Sequence, residues 1–349
     1  MKTLFASRLK RARTMACLSM DELALHVGIS KEAIRKYEHA EAMPNSEKLI
    51  KLCAALHIKP DYFFRPEVYE VTEFEFRKKS KLGVKKVDQI KERIKDLLER
   101  YLELEDLLAL DSAFVNPVAG IRINSPKDIE KAAEQLRSVW ELGFNPINSI
   151  IDVLEDHYVK VIEVDEQIEF DGSSTMVNEK IPVIILNKNL PIERIRFTLL
   201  HELGHLILSM PDNCTDKEKE QICNNFAGAV LIPSKIMMAE LDHKRDRFFL
   251  PELAHVQEEF GISIRAIMYR ARHLGIITEN RFKYFFFILN TKTDVKAAVD
   301  QVRYCSKEST GRFLQLLYKA IAKEVISVSK ASALSNLSVQ FLKSSIAVI

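Results

Sequence analysis

Two histidines and a glutamate in one apolar stretch have the residue types and spacing for metal-dependent hydrolysis. His201, Glu202 and His205 lie within the segment Arg196-Phe-Thr-Leu-Leu-His-Glu-Leu-Gly-His-Leu-Ile-Leu208. At helical period the two histidines lie one turn apart on one face, where their imidazoles can bind a single Zn²⁺. Glu202 lies beside them, close enough to take a proton from a water at the metal. This HExxH spacing predicts a zinc site with Glu202 as its catalytic base.

The alternative is a chance pair of surface histidines that bind no metal. The stretch is rich in Leu and Ile, and burying two histidines and a glutamate in such a helix without a metal would be costly. The apolar context therefore favours the metal site.

A catalytic zinc site needs a third protein ligand, and the next helix offers one. Residues 215–232 predict a helix that ends before Pro233. Four of its residues share one face by their i, i+3, i+4 and i+7 spacing: Glu220, Cys223, Asn224 and Ala227. Glu220 is the preferred ligand on this face, and the Cys223 thiolate is the alternative. Asp216 and Glu218 are expected to face solvent.

The composition is that of an ordinary globular protein. At 349 residues, with 47% hydrophobic and 29% charged residues, the chain is long enough for two or three domains. No run approaches the roughly 18–20 apolar residues of a membrane span, and charges interrupt the first residues too early for a signal peptide. Five cysteines without CxxC spacing favour free thiols in a reducing compartment. We therefore expect a cytoplasmic protein that does not bind membranes, and the net charge of +2 excludes a chain-wide polyanion binder.

The first 66 residues predict a run of short helices that includes a helix-turn-helix. Ser19 is predicted to cap a helix over Met20–Val27, and Ser30 to cap the next one after the turn Gly28-Ile29-Ser30. The exposed face of this next helix would enter the major groove of DNA. Its candidate DNA contacts are Ser30, Lys31, Glu32, Arg35 and Lys36. Eleven Lys/Arg against seven Asp/Glu in residues 1–64 suit such a partner, and the alternative is a helix-turn-helix used for protein contact.

Residues 67–115 predict a basic connector that leads into a long helix, Lys85–Leu110. Residues 76–100 hold ten Lys/Arg and four Asp/Glu. The favoured interpretation is a helix packed against the domain that follows, with a solvated basic end. A basic flank that adds DNA affinity, or a helix that dimerises, remains the alternative.

Residues 116–280 predict a small sheet beside the HExxH helix. Val159–Val164 alternates like a strand, Asp171–Ser174 has turn composition, and two further strands are predicted at 175–177 and 183–186. An edge strand of such a sheet can pair with an extended substrate. A second helix-turn-helix pattern at 253–274 is expected to pack in the core rather than to bind DNA. Residues 281–349 are predicted to be mostly helical, with Phe282–Leu289 as a strand or short helix.

The first 66 residues closely resemble the XRE/Cro-type helix-turn-helix family. The resemblance rests on Arg8-Leu-Lys-Arg-Ala-Arg13, Leu18-Ser19, Glu22-Leu23-Ala24, Val27-Gly28-Ile29-Ser30, Ile34, Lys36-Tyr37-Glu38, Pro44, Leu49, Leu52, Leu56 and Asp61-Tyr62-Phe63-Phe64. It implies binding to a double-stranded DNA operator, and the two-fold symmetry usual for such operators makes a homodimer expected. Met20 stands where the family often has a phosphate-anchoring Gln, so anchoring is expected to be weaker or to rest on other groups.

Residues 116–280 resemble the ImmA/IrrE-type metallopeptidases. The resemblance rests on Phe170-Asp-Gly, Pro182-Val-Ile-Ile-Leu-Asn187, Asn189-Leu-Pro191, Glu193-Arg-Ile-Arg-Phe-Thr-Leu-Leu-His-Glu-Leu-Gly-His205, and Glu220-x-x-Cys-Asn-x-Phe-Ala227 leading to Leu231-Ile-Pro233. It implies zinc bound by His201, His205 and Glu220, with Mn²⁺ as a substitute in vitro. Glu202 would be the general base. Cys223 and Gly228-Ala229 depart from the residues that many members carry, which affects the detail of the match and not the assignment.

The two resemblances together imply an α+β protein. An all-α helix-turn-helix domain (1–66) and the connector (67–115) precede a zincin-like metallopeptidase domain (116–280) and a mostly helical C-terminal region (281–349). The implied activity is zinc-dependent cleavage of a transcriptional repressor that controls phage, mobile-element or stress genes. The alternative is a protein that is not an enzyme: a non-proteolytic DNA-binding regulator, or an antitoxin whose peptidase-like domain senses metal or binds partners.

Overall fold

The computed structural model describes most of the chain. The described residues are 1–65, 84–110, 113–165, 170–245 and 247–346. The basic stretch Phe74–Gly83 of the predicted connector lies outside them. The chain forms two compact units: the first unit is Met1–Ser112 with Gly311–Ile349, and the second unit is Ala113–Thr310.

The helices and strands are numbered here in chain order. The first part of the chain contains α1 (Lys2–Met15), α2 (Met20–Val27), α3 (Lys31–Glu38), α4 (Ser46–Leu56), a 3-10 helix (Pro60–Phe64) and α5 (Val84–Leu107). The middle contains α6 (Pro126–Val139), α7 (Ile150–Asp156), β1 (Lys160–Val164), β2 (Gly172–Val177), β3 (Ile181–Asn187), α8 (Ile192–Ile207), α9 (Asp216–Leu231) and α10 (Ser234–Leu241). The last part contains α11 (Leu250–Phe260), α12 (Ile264–His273), α13 (Glu279–Thr291), α14 (Thr293–Gln301), α15 (Arg312–Ala322), α16 (Val328–Ser335) and α17 (Val339–Ser345). The predicted α+β class is confirmed.

Two of the residue ranges predicted for the domains can be set against the boundaries of these two units. The range 1–66 lies wholly inside the first unit. The C-terminal range 281–349 is divided at residue 310, because α13 and α14 belong to the second unit and α15 to α17 belong to the first. The aromatic stretch Phe282–Leu289 is helical and forms the middle of α13.

Local hydrogen bonds determine where the helices of the helix-turn-helix begin and end. The Ser19 hydroxyl accepts from the Glu22 amide at 3.2 Å, and the Glu22 carboxylate accepts from the Ser19 amide at 2.7 Å, so the predicted capping box is present. Gly28 ends α2 with a φ of +72°, a left-handed conformation that glycine adopts without strain. Ser30 then caps α3 by accepting from the Ala33 amide at 3.1 Å. The turn therefore has the geometry that its sequence predicts.

The long helix α5 packs within the first unit, against α1, α15 and α16. The sequence had suggested the domain that follows as its partner. Buried ion pairs fix α5 to α1, since the Arg8 guanidinium, with no exposed surface, lies 2.5 Å from the Glu99 carboxylate. Arg11 reaches Glu99 at 2.7 Å and Glu92 at 2.8 Å. Periodicity alone could not identify this partner, because the contact is made by charged residues.

The C-terminal helices complete the apolar core around α5. Tyr101 and Leu104 of α5 form one buried cluster with Leu317, Ala331 and Leu342 of the three C-terminal helices. The Arg100 guanidinium donates to the Leu334 carbonyl at 2.8 Å. The first unit is thus built from two distant parts of the chain.

The second unit contains a three-stranded sheet with the order β1-β3-β2. β1 pairs with β3 in parallel, and β2 pairs with β3 antiparallel, in a register from Gly172↔Leu186 to Val177↔Ile181. The central strand β3 is apolar and buried along nearly its whole length. The predicted turn over Asp171–Ser174 is wrong, because β2 begins at Gly172. Small polar residues that resemble a turn in composition become a strand here since they pair with β3.

A buried ion pair fixes the first half of α8 within the second unit. Arg196 and Glu308 both have fully buried side chains, and their charged groups lie 2.5 Å apart. Arg196 also donates to the Ile147 carbonyl at 2.7 Å, while Glu308 accepts from the amides of Ile150 and Ile151 at 2.9 and 3.0 Å, at the start of α7. The pair therefore joins α8 and α7 to the segment 302–310, which follows α14.

The second helix-turn-helix pattern, α11 and α12, packs in the core as predicted. Gly261 forms the turn with a φ of +64°, and Ser263 caps α12. A Cβ at Gly261 would lie 2.4 Å from Arg196 Nε, so the turn also needs glycine to make room for the buried ion pair. Ile264 and Met268 are each only 1% exposed, so these two positions of α12 face the core.

Among the helices that the structure describes, no single one is long and apolar enough to cross a membrane. The consecutive helices α9 and α10, bent by 68° at their junction, pass the length and composition criteria together.

Replacing Glu308 by Ala should destabilise the second unit by about 3–5 kcal/mol, because it leaves the Arg196 charge buried and unpaired. The measurement is denaturant unfolding followed by the fluorescence of Trp140, the only tryptophan of the chain, which is buried in this unit. The matched control is Glu134→Ala at an exposed position of α6, expected within about 0.5 kcal/mol of the parent. Equal unfolding midpoints for the two variants would contradict the role of the pair.

Candidate metal centre and nucleic-acid interface

Three side chains from two helices converge on one point of the second unit. His201 and His205 lie one turn apart on α8, and Glu220 lies on the first half of α9. The two Nε2 atoms are 3.1 Å apart, and the Glu220 carboxylate oxygens lie 3.4 Å from His201 Nε2 and 3.3 Å from His205 Nε2. Each of the three residues can offer one ligand atom to the same metal ion.

These distances suit a tetrahedral metal ion. Bonds of about 2.0–2.1 Å in tetrahedral geometry place ligand atoms about 3.3 Å from one another. The two Nε2 atoms are 3.1 Å apart, and each has a Glu220 carboxylate oxygen at 3.3 or 3.4 Å, a different oxygen for each histidine. The His201 and His205 side chains are 12% and 16% exposed, and Glu220 is 35% exposed, so the cluster opens toward solvent on the Glu220 side. Three ligands with an accessible side is the arrangement of a catalytic rather than a closed structural site.

Glu202 is buried beside the cluster and is held by the sheet. Glu202 follows His201 directly on α8, and only 8% of the residue is exposed. The Ser174 hydroxyl of β2 donates to Glu202 Oε2 at 2.7 Å. The strand that forms one edge of the sheet therefore fixes the orientation of the candidate base.

Gly172 and Ser174 are site residues that sequence reasoning missed. A Cβ at Gly172 would lie 2.6 Å from Thr198 Cγ2 and 3.3 Å from Glu202 Cγ, so only glycine allows β2 to lie this close to α8. Both residues were assigned to a turn. Their pairing with β3 is a tertiary contact, and the only local signal was the small size of these side chains.

A second glycine brings α9 close to α8. A Cβ at Gly204 would lie 3.2 Å from Cys223 Sγ and 3.3 Å from Phe226 Cδ1, tighter than ordinary contacts. The absence of a side chain at Gly204 thus lets the face of α9 that carries Cys223 approach the two histidines. Cys223 has no exposed surface and occupies the helix contact, one turn beyond Glu220. It is not a member of the three-residue cluster.

The C-terminal end of α9 is held by two buried arginines. Arg137 donates to the Val230 carbonyl at 2.5 Å, and Arg270 donates to the Ile232 carbonyl at 3.1 Å. Burial lowers the pKa of Arg137 to about 10, which still leaves it a cation at neutral pH. Cations at a helix C-terminus complement the helix dipole and its unpaired carbonyls. The position of Glu220 therefore depends on anchors more than two turns away.

The other two acidic candidates lie away from the cluster. Glu218 forms a capping box with Thr215 at the start of α9, where its carboxylate accepts from the Thr215 amide at 2.8 Å. Hydrogen bonds from the Thr215 hydroxyl and, secondly, from the Thr215 amide lower the pKa of Glu218. The Asp216 side chain is fully exposed. Both residues face solvent, as the spacing predicted.

The candidate DNA contacts lie on the exposed side of α3, and several are paired with acids. Lys31 lies 2.7 Å from Asp21, and Arg35 lies 2.8 Å from Glu32 and 2.9 Å from Glu41. Such exposed pairs contribute at most about 1 kcal/mol, so their cations can exchange partners for a phosphate or a base edge. Lys36 is exposed as well, and the Ser30 side chain is occupied in capping the helix.

Much of the predicted positive charge of this region is internal. Arg8 and Arg11 pair with α5, and Arg13 forms a bidentate pair with the buried Glu38 at 2.6 and 3.0 Å. These arginines of α1 stabilise the fold, and the charge that faces a partner is smaller than the count of residues 1–64 suggested.

Comparison with known families gives two matches. Residues 9–63 match the family model described as helix-turn-helix, and residues 155–272 match the model described as the IrrE N-terminal-like domain, a peptidase family. Both resemblances drawn from the sequence are thereby confirmed. A comparison with curated proteins finds none that matches the chain.

Replacing Gly204 by Ala should weaken metal binding by roughly tenfold or more, because the new methyl group pushes α9 and Glu220 away from the histidines. The measurement is competition for Zn²⁺ against a chromophoric chelator. Gly228→Ala is the matched control on α9, since its Cβ would meet only Arg270 Cδ at an ordinary 3.4 Å. Unchanged affinity in the Gly204 variant would show that helix proximity does not set the geometry.

Proposed function

We propose that this chain, which joins an XRE-type helix-turn-helix domain to an IrrE N-terminal-like peptidase domain, is a DNA-binding regulator that cleaves a specific regulator protein with a bound Zn²⁺. The observation that carries the peptidase part is the convergence of His201, His205 and Glu220 at ligand distances, with Glu202 buried beside them. A protein without catalytic use for these groups would bear the cost of partly burying two histidines and two acids.

The metal would supply two things when bound: polarisation of the scissile carbonyl and a more acidic water. In this proposal Glu202 would act as the general base, accepting a proton from the attacking water and delivering it to the leaving amine. The hydrogen bond from Ser174 keeps one Glu202 oxygen oriented. His201, His205 and Glu220 act as ligands and take no part in moving the proton.

The sheet edge is the feature that suits a polypeptide substrate. β2 is the last strand in the order β1-β3-β2. An extended peptide can add to such an edge through main-chain hydrogen bonds. Because Ser174 of this strand contacts Glu202, a peptide bound there would pass next to the candidate base.

The helix-turn-helix narrows the choice of substrate. A peptidase fused to a DNA-binding unit acts where transcription is controlled, so a transcriptional repressor is the proposed target. The exposed side of α3 would contact the operator through Lys31, Glu32, Arg35 and Lys36, with Ser30 fixing the start of the helix.

Replacing Glu220 by Gln should lower Zn²⁺ affinity by on the order of 100-fold, because a direct ligand loses its charge. Glu218→Gln is the matched control two residues away. It removes the same charge, and its amide can still cap α9 in place of the carboxylate. Equal Zn²⁺ affinities for the two variants would remove Glu220 from the ligand set.

Replacing Glu202 by Gln should leave Zn²⁺ binding intact and lower cleavage by about 10²–10⁴-fold, because the base is lost while the ligands remain. The assay incubates the purified protein, with and without Zn²⁺ or Mn²⁺, with the products of neighbouring genes and follows metal-dependent fragments. If the variant cleaves as fast as the parent, the mechanism fails. If the parent binds Zn²⁺ but yields no fragment from any of these proteins, the result favours the alternative of a non-proteolytic DNA-binding regulator.

A further inference from the structure

The C-terminal part of the first unit repeats the helix-turn-helix of its N-terminal part. Asn336-Leu337-Ser338 lies between α16 and α17 as Gly28-Ile29-Ser30 lies between α2 and α3. Asn336 has a φ of +60° and Gly28 a φ of +72°, and the Ser338 hydroxyl accepts from the Phe341 amide at 3.1 Å. The capping hydrogen bond of α3, from the Ala33 amide to the Ser30 hydroxyl, has the same length of 3.1 Å.

The two elements also bury the same position. Ile34 and Leu342 each follow their capping serine by four residues, and neither has exposed surface. α15 packs against α16, and α16 packs against α17, so the turn lies within a group of three helices. Neither family match extends to these residues.

The face of α17 that corresponds to the DNA-facing side of α3 is exposed. Counting from the serine caps, the positions of Lys31, Glu32, Arg35 and Lys36 are taken by Val339, Gln340, Lys343 and Ser344. All four of these residues on α17 are exposed. In α12, the other repeat of the pattern, two of the matching positions are Ile264 and Met268, which are buried. The corresponding face of α12 is thus partly buried, whereas all four positions on α17 are exposed.

The chemistry of this face suits the major groove. Gln pairs with adenine, Lys with guanine or a phosphate, and an apolar group such as Val339 contacts the thymine methyl. Within the described ranges, Gln340 and Lys343 take part in no hydrogen bond or ion pair, so their polar groups are available. On α3, by contrast, Lys31 and Arg35 are paired with carboxylates.

The charge of the element favours a polyanion. Residues 311–346 contain five Lys/Arg (Arg312, Lys319, Lys323, Lys330 and Lys343) and one acidic residue, Glu324. The balance of +4 equals that of residues 1–64 in little more than half the length. A basic surface of this kind binds DNA phosphates through release of counterions.

Lys59 connects the N-terminal helices to the C-terminal repeat within the first unit. The Lys59 ammonium, at the start of the 3-10 helix, donates to the Ser332 carbonyl at 2.7 Å and to the Leu337 carbonyl at 3.4 Å in the C-terminal turn. Burial lowers the pKa of Lys59. A residue that follows α4 thus contacts the turn before α17, and both helix-turn-helix elements belong to the same compact unit.

We propose that α15–α17 form a second DNA-binding helix-turn-helix, in which Gln340 and Lys343 read double-stranded DNA beside the site read by α3. The first unit then recognises a two-part sequence. This adds a contact surface to the DNA binding of the proposed function and is independent of the peptidase chemistry.

The test selects bound duplexes with the full-length protein from a pool with a randomised central segment. Affinity for the selected duplex is measured by gel shift, and its contacts by hydroxyl-radical footprinting. Gln340→Ala with Lys343→Ala should weaken binding about tenfold or more, shorten the footprint at one end, and relax only one part of the selected sequence. Gln301→Ala with Lys296→Ala is the matched control, with the same residue types and charge change at exposed positions of α14, outside the proposed element.

A variant of the first element separates the two DNA surfaces. Arg35→Ala with Lys36→Ala should relax the other part of the selected sequence. If this variant loses binding while Gln340→Ala with Lys343→Ala behaves like its control, the present proposal falls and DNA reading by α3 stands. If the parent protein selects no duplex, DNA recognition by α3 and DNA recognition by α17 are both contradicted. Unchanged DNA contacts together with lost binding of a partner protein would also overturn the proposal.

Discussion

The buried pair of Arg196 and Glu308 is the interaction on which the second unit depends. Removing both charges from water is costly, and hydrogen bonds to several backbone groups offset part of that cost. Arg196 donates to backbone carbonyls before α7, and Glu308 accepts from the first amides of α7. The helix that carries the histidines is therefore oriented by contacts to segments that are far apart in the sequence and hold no chemistry themselves.

The candidate metal centre depends on this orientation and on small residues. Gly172 lets β2 approach Glu202, and Gly204 lets α9 approach the histidines. The buried arginines at the end of α9 then fix the helix along its axis. Ligand types are thus necessary but not sufficient, since the positions of Glu220 and Ser174 follow from how closely neighbouring elements can pack.

The sequence predicts what is local and misses what is distant. The capping serines, the turn glycine and the i, i+4 histidines are short-range features, and the helix-turn-helix and the three-residue cluster follow from them. The strand at Gly172, the Ser174 hydrogen bond and the buried Glu308 arise from contacts between distant residues, so no local pattern marks them. The charge count of residues 1–64 overestimated the positive charge available to DNA for the same reason. Arg8, Arg11 and Arg13 form ion pairs inside the fold with acidic residues that are distant in the sequence.

The division of the first unit between the two parts of the chain has a consequence for folding during synthesis. Helix α5 leaves the ribosome long before α15–α17, whose Leu317, Ala331 and Leu342 cover Tyr101 and Leu104. The second unit, encoded by the uninterrupted residues 113–310, has all of its core available earlier. The second unit can therefore reach its native state while the apolar side of α5 is still uncovered. The first unit is completed last.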